Sequence, residues 1–134
     1  MTGLVLKLNP RERLLVNGAV IENGDRRSKL SIITPNANIL RLRDAIRPDE
    51  ANTPVRRVCY IAQLVLSGDV SEEDAAHQLR QGIRQLSMAL MDTKSHAHLS
   101  AASESVEARD FYRALKSLRA LLPHEDALMG RRPA

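Results

Sequence analysis

Leu4, Leu6 and Leu8 alternate with Val5 and Lys7 at the start of the chain, a period of two that predicts a strand over Leu4–Leu8 with one face turned inward. Asn9-Pro10 ends that run, and Arg13–Val16 reads as a second strand. Asn17-Gly18 then interrupts the apolar positions before Ala19–Glu22, either as a bulge or as a bend within one long strand. Asn23-Gly24 is the sharpest turn signal, because Asn followed by Gly accepts the positive φ angles of a two-residue type I′ turn. It predicts a hairpin that pairs Ala19–Glu22 with Arg26–Ile33 and presents Arg26, Arg27 and Lys29 just beyond its tip. On that last strand Leu30 and Ile32 share a face with Arg26 and Ser28, leaving Arg27, Lys29 and Ser31 on the other. Thr34-Pro35-Asn36 is a turn, and Ala37–Leu42 the final strand of an antiparallel lobe of four to five short strands.

The period changes after Arg47-Pro48. Pro48–Ala51 suits a single helical turn, and Thr53 as N-cap with Pro54 at the first helical position starts a helix over Pro54–Leu66, with Val55, Val58, Ala62 and Val65 as its buried stripe. Ser67-Gly68-Asp69 closes it. Ser71 and Asp74 cap a second helix, Glu72–Met91, in which Ala75, Leu79, Ile83, Leu86 and Leu90 recur at helical spacing. Asp92–Ser103 has no periodicity and many small polar residues, which predicts a mobile linker. A third helix over Glu104–Leu122 buries Phe111, Leu115, Leu118 and Leu122 until Pro123 stops it, and Gly130–Ala134 should be disordered. The expectation is an α+β protein: one domain over 1–134, with a β lobe at 1–47, a three-helix lobe at 48–123 and a tail at 124–134.

Composition alters this picture in three ways. Only three residues are aromatic (Tyr60, Phe111 and Tyr112), so the core is aliphatic and the β lobe lacks the Phe and Tyr on which common single-strand RNA modules stack bases. The formal net charge of +4 is uneven: residues 1–47 hold nine Lys and Arg against four Asp and Glu. Lys7, Arg11, Arg13, Arg26, Arg27, Lys29, Arg41, Arg43 and Arg47 therefore share one small lobe, where they either neutralise phosphates or serve as a solvated surface that guards strand edges. Arg56-Arg57 opposes the dipole at the start of a helix, and is balanced by Asp49 or Glu50 or else extends the basic surface. Chemistry beyond binding has little to stand on. His77, His96, His98 and His124 lack Cys or carboxylate partners at ligand spacing, the single cysteine, Cys59, falls on a buried stripe, and no catalytic motif occurs, so no metal, cofactor or enzymatic activity is expected. No apolar run is long enough to cross a bilayer, and the cytoplasm is the expected location, with no membrane partner.

Several blocks resemble one family. Asn17-Gly18-Ala19-Val20-Ile21 followed by Asn23-Gly24-Asp25-Arg26-Arg27 is similar to the hallmark block of the flagellum biosynthesis repressor family FlbT. Ala37-x-Ile39-Leu40-Arg41, Ala51-x-Thr53-Pro54-x-Arg56-Arg57 and Tyr112-x-Ala114-Leu115-Lys116-x-Leu118-Arg119 match in order and spacing, while residues 67–106 match only as helical pattern. The resemblance implies a post-transcriptional repressor of flagellin synthesis, associating with the 5′ untranslated leader of flagellin mRNA and promoting its degradation or blocking its translation. Arg13, Arg26, Arg27, Lys29, Arg41 and Arg43 would then face the RNA. The other function weighed is a chaperone-like adaptor in flagellum assembly without RNA contact, since members of the family act alongside the small flagellar protein FlaF and flagellin. With Phe111 inward, Tyr112 should face solvent or such a partner. An unpaired strand edge further predicts a homodimer through the β lobe.

Overall fold

A computed structural model of the chain describes residues 4–130. Five strands come first, β1 (Leu4–Leu8), β2 (Arg13–Val16), β3 (Ala19–Glu22), β4 (Ser28–Ile32) and β5 (Ile39–Arg41), and helices follow, as expected of the α+β class. All pairings are antiparallel, in a two-stranded ribbon β1-β4 and a three-stranded sheet β3-β2-β5.

Alternation on the three-stranded sheet sets the layers. Leu14 and Ile39 join Leu6 and Leu8 of the ribbon in one buried cluster. Their chain neighbours Leu15 and Leu40, paired in register, turn the opposite way and pack against the helical core. The sheet is thus a middle layer, with the ribbon on one face and the helices on the other.

The hairpin lies elsewhere than Asn23-Gly24. β3 returns along β2 through Asn17-Gly18, whose φ angles of 49° and 87° are both positive, as a type I′ turn demands. β4 pairs with β1, not with β3. Asn23 has a different task, and its contacts explain why it cannot head a tight turn. Its backbone N–H donates to the Glu12 carbonyl at 2.8 Å, and its side-chain amide donates to the carbonyls of Asn9 and Arg26 at 2.7 and 2.9 Å. The Ser28 hydroxyl donates to its side-chain oxygen at 2.7 Å. Asn23 so fastens the crossing from sheet to ribbon.

Single 3-10 turns at Leu42–Asp44 and Pro48–Glu50 lead to α1 (Pro54–Leu66) and α2 (Glu72–Ala89), close to the expected bounds. The Thr53 hydroxyl accepts from Arg56 N–H and the Ser71 hydroxyl from Asp74 N–H, each at 3.2 Å, satisfying donors that a helix start leaves over. Gly82 lets the two helices touch, since a Cβ there would lie 2.7 Å from Val58 Cγ2.

The expected linker is instead a helix, α3 (Thr93–Glu107), with the Asp92 carboxylate accepting from Ser95 N–H at 3.0 Å as its cap. Its buried stripe is Ser95, Leu99, Ala102 and Val106, at helical spacing but half small or polar, so the periodicity is faint in hydrophobicity alone. The expected third helix is divided by a turn in which Arg109 takes φ 59°, and α4 (Phe111–Arg119) begins beyond it, capped by Asp110. Asn36 in the β4–β5 loop donates to the Ala108 carbonyl at 2.8 Å, tying the β lobe to this corner. Pro123 does not end the helical region but lies in the first turn of α5 (Leu122–Leu128), which takes up the first part of the expected tail. The expected disorder at the C-terminus falls outside the described residues, apart from Gly130. Among the described residues no helix is long and apolar enough to cross a membrane.

The two Asn-Gly pairs should respond differently to substitution. Gly18→Val should destabilise the protein by about 1 kcal/mol or more, because a β-branched residue resists positive φ. Gly24→Val should cost clearly less, as Gly24 has ordinary φ and open space at its Cβ. Urea unfolding of both variants checks this; an equal loss would place the strained turn wrongly.

Candidate nucleic-acid interface

Lys7 and Lys29 stand directly opposite each other across the β1-β4 ribbon. Leu6 and Leu30 turn to the core at the adjacent position, so Val5, Lys7, Lys29 and Ser31 form the outer, exposed face. Like charges opposed on a ribbon repel, and an anion lying across them removes the penalty. Arg26 and Arg27, also exposed, precede β4 at the same end of the ribbon. Among the described residues no ion pair engages Lys7, Arg26, Arg27 or Lys29.

The remaining basic residues of the lobe are differently placed. Arg13 Nε lies 2.8 Å from Glu22, and Arg11 bridges Glu22 and Asp25, with its shorter contact 2.6 Å to Asp25. Arg13 above all holds the Glu22 carboxyl below the usual range. Arg41, expected on the RNA-facing surface, is 8 % exposed and therefore not available to it. Its guanidinium donates to both carboxylate oxygens of Glu12 at 2.7 Å and to the Lys7 carbonyl at 2.6 Å. Those hydrogen bonds, with the Asn9 N–H and the charge of Arg43 assisting, hold the Glu12 carboxyl down at about 2 despite its burial. Arg43 is half exposed and only loosely engaged, 3.6 Å from Glu12 and 3.9 Å from Asp44. The sequence-predicted set thus separates into a ribbon group, a sheet-edge pair and a buried ion pair, with Arg43 beyond it.

Tyr112 does not project into solvent. It is half-buried at the junction of the layers, packed against both hydrophobic clusters. On one side a groove is lined by Ile32, Ile33, Asn36 and Arg113, and on the other a cleft of about 380 Å³ is lined by Arg43, Asp44, Leu115, Lys116 and Arg119. Lys116 and Arg119, one helical turn apart on α4, join the basic residues here only through folding.

Arg56 finds its acid far along the chain. It forms paired contacts of 2.9 and 3.2 Å with Asp126, in place of the expected Asp49 or Glu50. The neighbouring Glu125 is buried at the start of α1, accepting from the Thr53 hydroxyl at 2.5 Å and Val55 N–H at 2.8 Å. A carboxylate there suits the positive end of the helix, and with Asp126 it accounts for an arginine in the first turn. Burial pushes the Cys59 thiol up to about 12, which leaves no thiolate for nucleophilic chemistry near neutrality. Among the described residues no group of three His, Cys, Asp or Glu is placed to hold a metal ion.

Comparison with known proteins places these features in a lineage. The family described as "Flagellar protein FlbT" matches residues 4–129. The "Flagellum biosynthesis repressor protein FlbT" of Caulobacter vibrioides is 31% identical over 127 residues, covering 95% of this chain and 89% of its own. A Bradyrhizobium diazoefficiens protein named "Probable flagellum biosynthesis repressor protein FlbT 1" is 34% identical over 128 residues, covering 95% and 85%. A Brucella ovis relative, "Probable flagellum biosynthesis repressor protein FlbT", is 30% identical over 132 residues, covering 98% and 86%. No solved structure matches the chain significantly.

The buried pair gives a pH signature. Because folding lowers the Glu12 pKa, its stabilising contribution is complete above the ordinary glutamate value near 4.5 and is lost as pH falls toward about 2. Glu12→Gln should cost about 3–5 kcal/mol at neutral pH by leaving Arg41 buried and unbalanced. It should also flatten the acid limb of stability between those two values. Urea midpoints measured across pH check both, and a variant as stable as the native chain would show that the pair is dispensable.

Proposed function

The chain belongs to the FlbT family of flagellar proteins, and from that membership we propose that it is a post-transcriptional repressor of flagellin synthesis. It associates with the 5′ untranslated region of flagellin mRNA, in the cytoplasm, and promotes degradation of the message or blocks its translation. The observation that supports RNA contact is the ribbon, where Lys7 and Lys29 on its outer face and Arg26 and Arg27 at its end stand exposed and without ion-pair partners among the described residues. Phosphates are the ligand such a surface suits, and the names of the relatives support regulation of flagellum synthesis.

An adaptor reading has one observation in its favour. Met88 and Met91, at the end of α2 and just beyond it, are 73 % and 78 % exposed, and methionine readily adapts to a protein partner such as a FlaF-type protein or flagellin. Assembly of the protein itself follows a separate surface. The β3 edge has no strand partner among the described residues and exposes Val20, and pairing there with a second copy would form a homodimer.

Replacing Arg26, Arg27 and Lys29 together by Ser should leave the melting midpoint nearly unchanged and weaken binding to the leader RNA. The logarithmic salt slope should flatten by roughly 1.4–2 units, as expected when two or three single-strand phosphate contacts are lost. Anisotropy titration over a range of salt checks this. Absence of any salt-dependent affinity in the native protein, with FlaF or flagellin retained by it in a pull-down and lost on Met88→Ser with Met91→Ser, would favour the adaptor instead. For the homodimer, light scattering at micromolar concentration should give twice the chain mass, and a strict monomer would refute it.

A further inference from the structure

We propose that the cleft between β5 and α4 seats one unpaired nucleotide of the bound RNA, with the base against Tyr112 and the phosphate among Arg43, Lys116 and Arg119. This rests on the RNA reading above and adds to it a site distinct from the ribbon. A nucleotide needs two unlike things from a protein, a flat apolar surface for the base and cations for the phosphate. With three aromatic residues in the chain, few places meet the first requirement. Phe111 is 1 % exposed, and of the two half-buried tyrosines it is Tyr112 that lines the groove and the cleft described above.

The second requirement is met at the same place. Arg43, Lys116 and Arg119 bring three positive charges to the cleft against the single carboxylate of Asp44, because Arg41 in its floor is already balanced by Glu12. These cations have donors to spare. Lys116 has no ion pair among the described residues, Arg43 approaches its acids no closer than 3.6 Å, and Arg119 gives one N–H to the Asp44 carbonyl at 2.9 Å with its other contact at 3.6 Å. An acidic peptide would use the cations and leave the ring idle, whereas a nucleotide uses both. The cleft also supplies from a helix the aromatic surface that the strands lack.

The experiment uses the full chain and a single-stranded leader RNA in which uridines are replaced by 5-bromouridine, a photoreactive base that couples to nearby side chains. Illumination followed by peptide mass spectrometry should find the adduct on Tyr112. The double variant Arg43→Ala, Lys116→Ala, both residues exposed, should keep its melting midpoint and bind the same RNA roughly tenfold more weakly. Binding at native affinity by that variant, with adducts confined to the ribbon, would overturn the cleft and leave the ribbon reading intact. Complete absence of RNA binding by the native chain would overturn both.

Discussion

Glu12 and Arg41 meet inside a β lobe whose buried apolar cluster numbers only four residues, and an uncompensated charge there would cancel a large part of what that cluster contributes. The pair is tolerated because its hydrogen-bonding capacity is met from separate parts of the chain. Glu12 also accepts from the Asn9 N–H at 3.0 Å in the β1–β2 turn, and Arg41 also donates to the Lys7 carbonyl on β1. One ion pair so joins the end of β1, the start of β2 and the end of β5. What it supplies is placement: the ribbon lies over the sheet in the one arrangement that satisfies these donors. With β5 fixed, Leu40 enters the helical core on its opposite face, and the outer face of the ribbon is left to Lys7 and Lys29.

Pairing, more than net charge, then decides what the basic lobe offers to a ligand. Of its nine Lys and Arg, Arg11, Arg13, Arg41 and Arg47 each lie within 3.3 Å of a carboxylate oxygen, and the ribbon group and the loosely held Arg43 remain. The helical lobe balances its own charges similarly, with Arg80 on Glu107 and Arg56 on Asp126. The exposed pairs among these, such as Arg11–Asp25 and Arg80–Glu107, contribute little stability, but they remove cations from the field that a polyanion meets.

Much of this arrangement was legible in the residues, and the failures have physical causes. The alternation Leu4-Leu6-Leu8 and the caps Thr53 and Ser71 each report a local rule, and each element formed where the rule placed it. The choice between Asn17-Gly18 and Asn23-Gly24 was not local, because it turned on which strands pair, and β1 claims β4 at separations of 20 to 28 residues. α3 was obscured because Ser95 and Ala102 fill half of its buried stripe, although Asp92 and the spacing of Leu99 and Val106 carried a signal. Burial of Arg41 and Glu125 was invisible for a different reason. A charged residue in sequence does not announce its partner, and these two find theirs at separations of 29 and 72 residues.

The same internal economy bears on how an RNA could be told from others. Phosphate contacts position a nucleic acid, whereas base edges must be read by side chains that still have hydrogen-bonding groups to give. In the β lobe several such groups are already engaged. Asn17 accepts from Asn38 N–H, Asn23 spends its whole amide on Asn9, Arg26 and Ser28, and Asn36 donates to the Ala108 carbonyl. The ribbon is left with long flexible cations, which suit affinity and on-rate but distinguish sequences poorly. On the proposed RNA reading, discrimination would fall to the place where the layers meet, beside the half-buried ring of Tyr112 and the hydrogen-bonded guanidinium of Arg119, because the described residues of the ribbon's outer face offer no comparable surface.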